Sequence, residues 1–281
     1  MGVVIVTDSG CDLTPQEAAR YKIEVVPIYI LFGNERLRDG VDIDRATFYR
    51  RMNAGEIPKT EPAAETDFKA VFDRLISAGN TVVCITLSSQ MSQSFANAKA
   101  ASARCAGAVH VVDSRGGSGM QVLLALQAVE LAAAGETAAE IARSVSPENL
   151  KCAMYFAVPD IENLGKSGRL PKPLVALGSM LNVSLVLKIN ELGAIGPAGQ
   201  SRSFEKTCEI MVDAVVRAIE RSPSARIAIS HVEAPDTAKR LAQSMEAKLG
   251  HPPAFQTLNA SSLTIATHMG PGAVGISAVV P

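Results

Sequence analysis

The sequence has no tryptophan, and aromatic residues make up only 4 % of its 281 residues. Stacking on nucleic-acid bases therefore has little material to work with, and the core must be aliphatic and alanine-rich. An excess of one charge is also missing. Lys and Arg number 27 against 28 Asp and Glu, a formal net charge of −1, without the basic surplus of a nucleic-acid binder. No run approaches the ~18 apolar residues that cross a bilayer. Val3–Val6 is too short for a signal-peptide core and Asp8 follows closely, so nothing marks export and a cytoplasmic location is expected. Cys11, Cys84, Cys105, Cys152 and Cys208 are odd in number and widely spaced, which fits reduced residues rather than a disulfide frame. No C-x-x-C, H-x-x-H or H-E-x-x-H pattern occurs, so no metal site and no cofactor are expected.

The sequence is rich in apolar residues, 47 % against 20 % charged, which excludes disorder and predicts a large core. Short β-branched runs alternate with helical segments through the first half. Val3–Thr7, Glu24–Phe32, Thr81–Thr86 and Ala108–Val112 read as strands. Thr14-Pro15-Gln16-Glu17 is a capping box with proline at the first helical position, predicting a helix over about 15–20. Asp44 caps a helix through Met52, residues 53–65 read as a long loop, and helices follow near 66–78, from Ser94, and from Gly119 to about Ala134. This alternation predicts an α/β fold with a mainly parallel sheet. Asp8-Ser9, Ser88–Ser94 and Asp113–Gly119 each follow a strand, where such sheets form their ligand crevice. The pattern changes after Pro147, toward strands with fewer helices between them. Two α/β domains are expected, residues 1–148 and 149–281, the second with a mixed sheet and the ligand between them.

Gly270-Pro271-Gly272-Ala273-Val274-Gly275 matches G-x-G-x-x-G, but only six residues follow, leaving no room for the helix and acidic residue of a dinucleotide site. It reads instead as a tight turn before a last strand, with His268 at its head. Glycines beside His268 permit close approach of a ligand, against the commoner structural role of a lone histidine. His231 ends a strand and is a weaker candidate; His110 reads as core. Ser88, Ser89, Ser92 and Ser94 crowd a strand-to-helix transition. One serine suffices for an N-cap, and the others leave hydroxyls free to hold an oxyanion. A serine hydrolase is an alternative, yet no G-x-S-x-G elbow is present. Arg169 and Arg202 lie near glycines and read as exposed cations.

The ordered set Thr7-Asp8-Ser9, Pro58-Lys59-Thr60, Ser88–Ser92, Val112-Asp113-Ser114, Leu164–Leu170, Arg202 and His268-Met269-Gly270-Pro271-Gly272 resembles the DegV family of bacterial fatty-acid-binding proteins. The resemblance implies a long-chain fatty acid buried between two α/β domains, its carboxylate held at Thr60, Ser92 and His268, with Ser94 and Gly270 beside them. It also implies a non-catalytic role: the bound carboxylate is presented to the catalytic subunit of a fatty acid kinase, with transient membrane contact and with Arg169 and Arg202 facing kinase or membrane. Three positions depart from the family pattern: Thr60-Glu61-Pro62 replaces Thr-Ser-Gln, Ser92-Gln93-Ser94 replaces Ser-Gly-Thr, and Val183-Ser184-Leu185 replaces Ile-Lys-Pro. A glutamate next to Thr60 repels an anionic head group if it points inward. A lipid-like ester hydrolase or acyltransferase using Ser92 and His268, and a binder of a different amphiphile, are the competing readings.

Overall fold

Valine and isoleucine in Val3–Val6 favour a strand buried on both faces, and β1 (Val3–Asp8) indeed lies inside a sheet, flanked by parallel neighbours on both sides. The computed structural model describes residues 2–170 and 183–281. After β1 come α1 (Pro15–Tyr21), β2 (Glu24–Val26), β3 (Tyr29–Phe32), β4 (Glu35–Arg38), α2 (Arg45–Asn53), β5 (Lys59–Glu61) and α3 (Glu65–Ser77). They are followed by β6 (Thr81–Thr86), α4 (Ser94–Ser102), β7 (Val109–Asp113), α5 (Gly119–Ala133) and α6 (Ala138–Ser144). The remaining elements are β8 (Lys151–Val158), α7 (Glu162–Lys166), β9 (Ser184–Ile189), β10 (Ile195–Ser201), α8 (Phe204–Ala218), β11 (Arg226–His231), α9 (Pro235–Leu249), β12 (Phe255–Ala260), α10 (Leu263–Met269) and β13 (Val274–Val280).

Three sheets result. A parallel sheet runs β2-β1-β6-β7, a mixed sheet runs β10-β9-β8-β13-β11-β12, and β4-β3-β5 form a small antiparallel sheet. The capping box of α1 forms as expected, with Thr14 Oγ1 accepting from Glu17 N and Glu17 returning a carboxylate oxygen to Thr14 N.

Two expectations fail here. Glu24–Phe32 is two strands in two sheets, because Pro27 has no N–H for a ladder. The chain leaves the parallel sheet there, held by Ile28 N–H donating to Ser9 Oγ at 2.9 Å. The expected loop at 53–65 contains β5, which pairs Thr60 with Ile30 of β3. Three residues, Lys59-Thr60-Glu61, are too few to show alternation.

The parallel sheet places the loops after β1, β6 and β7 on one edge, and they interlock. Leu87 N–H donates to Asp8 Oδ2 at 2.9 Å, Ser88 N–H to Gly116 O at 2.8 Å, and Ser118 N–H to Gly10 O at 2.7 Å. From this edge starts α5, buried almost throughout from Met120 to Ala128. Such a helix needs apolar cover all round, and α5 packs on β1 and β6 of one sheet and β11 and β13 of the other. Close packing requires Gly119: a Cβ there would lie 2.8 Å from Ala228 Cβ.

Candidate functional site

Where the interlocked loops meet the mixed sheet, a cavity of about 300 Å³ forms, within the usual range for small-molecule sites. Ile28, Leu87, Met154, Phe156, Ile189 and Ile265 give much of its apolar wall. Gln90 and Gln93 line it and are exposed, so the mouth lies at the loop that carries Ser92.

Thr60, Ser92 and His268, distant in sequence, all line this cavity. Thr60 arrives on β5, and His268 on the last turn of α10, a helix missed in the sequence because its seven residues make under two turns. Its start signal was present: Ser262 Oγ accepts from Ile265 N–H. Thr60 Oγ1 lies 2.8 Å from His268 Nε2. The other ring nitrogen, Nδ1, is buried with no partner among the described residues. Burial, and secondarily the Arg169 charge, push the His268 imidazole down to about 3, so it is neutral at physiological pH.

Ser92 Oγ accepts from Ser94 N–H at 3.2 Å and lies 3.0 Å from Ser94 Oγ. Asn97 of α4 ties this turn to the segment after Thr60 by donating to Ala63 O at 2.8 Å. Ser94 is fully buried behind Ser92 and does not line the cavity. Gly270 does not line it either. It caps α10 with φ 73°, and a side chain there would collide with the Asn163 carboxamide.

The reading of Arg169 as an exposed cation needs correcting. Arg169 is half-buried, lines the cavity, and donates to Ser167 O at 2.6 Å. Burial lowers its pKa, because water around the guanidinium is replaced by protein. A longer contact, 3.5 Å from Nε to Met91 O, sets it beside the Ser92 turn. Arg202, in contrast, is exposed just beyond β10 and does not line the cavity. His110 is half-buried on β7 rather than core, while His231 is buried and accepts from Ala234 N–H at 3.2 Å, a local turn contact.

The departure at Glu61 has a simple outcome. Strand alternation sends it away from Thr60, and it pairs with Arg36 at 2.9 Å on the surface. Pro62 next to it lines the cavity. Among the described residues no group of three or more His, Cys, Asp or Glu is arranged to hold a metal, and no helix is long and apolar enough to cross a membrane. Ser118, in the Asp113–Gly119 loop expected at the crevice, lines the cavity, and so do Ser230, Ser261 and Ser277, which were missed. Ser230 and Ser277 are single serines inside apolar strands, and only a hydroxyl on an inward-facing position hinted at them.

A family model described as an uncharacterised protein of the DegV family matches residues 2–280. A DegV domain-containing protein of Mycobacterium bovis is 30 % identical over 280 residues, covering 98 % of this chain and 96 % of that one. The fold is that of a fatty-acid-binding DegV family protein from Thermus thermophilus, with TM-score 0.92, 26 % identity and full coverage of both chains. It is also that of DegV, a fatty acid binding protein from Bacillus subtilis, with TM-score 0.87, 25 % identity and full coverage of both chains. With a family match over nearly its whole length and the same fold over the full chain, this chain belongs to the DegV family.

Proposed function

We propose that the chain binds a long-chain fatty acid in this cavity and presents its carboxylate to a fatty acid kinase, which forms the acyl phosphate. One observation carries the reading: an apolar cavity whose mouth loop bears Ser92 and whose wall holds the Thr60–His268 pair at 2.8 Å. Each methylene buried contributes about 0.8 kcal/mol, so a long tail gains on the order of 10 kcal/mol gross. Thr60, Ser92 and the half-buried Arg169 supply donors to the head group. The exposed Gln90 and Gln93 leave that head within reach of a partner. Arg202, exposed and outside the cavity, serves the kinase or the membrane surface. The site is cytoplasmic in this reading.

The hydrolase alternative is disfavoured by the same geometry. Ser92 Oγ is engaged with Ser94, His268 Nε2 with Thr60, and among the described residues no carboxylate orients His268 Nδ1. The chain is therefore read as non-catalytic.

The test combines the purified chain, a long-chain fatty acid, ATP and a fatty acid kinase. Acyl phosphate is expected only when all are present. Ser92→Ala should slow phosphorylation more than it weakens binding, since transfer needs a fixed carboxylate. Arg202→Gln should slow transfer and leave fatty-acid affinity unchanged. Ser92-dependent turnover of an acyl ester by the chain alone would overturn the reading in favour of the hydrolase.

A further inference from the structure

The cavity has a second polar region. Ser118, Ser230, Ser261 and Ser277 line it, and each is over nine-tenths buried. Ser118, Ser230 and Ser277 gather about Gly119, and Ser261 lies next to Ser262. Ser118 Oγ donates to Asp12 Oδ2, and Ser262 N–H, next to Ser261, donates to Asp12 Oδ1 at 2.9 Å. The Ser230 and Ser277 hydroxyls lie 3.2 and 3.3 Å from the same point beside Gly119. Ser261 precedes α10 and His268 lies on its last turn, so the helix rise from Leu263 to His268 alone parts them by roughly 8 Å. Ser261 thus stands at the opposite end of α10 from His268.

The donors and acceptors differ from those at the head. Ser118 turns its proton toward Asp12, so it offers lone pairs to the cavity. Ser261 and Ser277, both 3 % exposed, have no side-chain hydrogen bond among the described residues. Unpartnered hydroxyls against an alkyl chain are unfavourable. A second carboxylate does not fit, because Asp12 already holds an acid here. Arg45, the cation whose charge acts on Asp12, donates to Ala260 O at 3.4 Å and does not line the cavity. A neutral hydroxyl fits: it donates to Ser118 and accepts from Ser261 or Ser277.

Resting on the fatty-acid reading above, we infer that the preferred ligand is a fatty acid carrying a hydroxyl group partway along its chain, which the Ser118, Ser230, Ser261 and Ser277 group recognises.

The test measures affinity of the whole chain, freed of lipid, for stearic acid, stearic acid hydroxylated at mid-chain, and the dicarboxylic acid of equal length. The hydroxylated acid is expected to bind about three- to tenfold more tightly than stearic acid, the effect of one or two net hydrogen bonds. The double variant Ser261→Ala, Ser277→Ala should bring that ratio close to one. Equal affinities in the unaltered chain, or preference for the diacid, would overturn the inference while leaving fatty-acid binding intact. Failure of all three acids to bind would overturn both.

Discussion

His268 links α10 to β5 at the cavity wall. Its Nε2 meets Thr60, its buried Nδ1 has no partner among the described residues, and its proton affinity is depressed by burial and by Arg169. An unfolded histidine takes a proton near pH 6.5, whereas this one resists down to about 3. Between those values the unfolded chain binds more protons, so this residue's contribution to stability falls as pH drops, by on the order of a few kcal/mol in all. Asp8, Asp12 and Asp39 act oppositely. Burial raises their pKa values, so the folded chain takes up protons first and gains stability as the pH falls toward the ordinary carboxylate range. Comparison with His268→Gln isolates the histidine. In denaturant unfolding at pH 7 and pH 5, the unaltered protein should lose stability relative to the variant at the lower pH. A gap that stays constant would mean the imidazole titrates normally. Arg169 makes a second case. As a cavity residue it should contribute to ligand affinity, so Arg169→Gln should weaken fatty-acid binding by about tenfold or more, the scale of a charge-assisted hydrogen bond. Unchanged affinity, read by titration calorimetry, would return Arg169 to a purely external role.

Among the elements, those with strong local signals were legible in the sequence. The capping box of α1 and the β-branched runs of β1 and β6 each specify their element from neighbouring residues. What escaped was short or decided at a distance. The strand β5 exists because β3 is beside it, and α10 is too brief to show a helical period. Both carry site residues, so Thr60 is singled out by family resemblance and not by its surroundings, whereas His268 stands out through its glycines. Arg169 was misjudged because nothing in Gly168-Arg169-Leu170 reveals that its side chain turns inward. The turn after α10 offers a test of element-level design. Gly270 has φ 73° and faces Asn163. Gly270→Ala should cost about 1–3 kcal/mol in denaturant unfolding, and Gly270→Ala with Asn163→Ala should recover only the steric part. No loss in the single variant would show that this turn relaxes freely.

At the scale of the whole molecule, α5 is the structural link. Its buried faces join the parallel sheet to the mixed sheet, and the turn that leads into it supplies Gly117 and Ser118 to the cavity wall. The cavity is thus a product of both sheets and of the loops at one edge, and a ligand filling it ties them together. A bound fatty acid should therefore raise resistance to unfolding, by a few kcal/mol when present well above its dissociation constant. The most direct measurement is mass spectrometry of the purified protein, first under native conditions and then after organic extraction. The account predicts one long-chain acyl carboxylic acid per chain, released on extraction and rebound with a rise in melting temperature. A protein that carries no lipid, and gains no stability from any long-chain acid supplied to it, would contradict it.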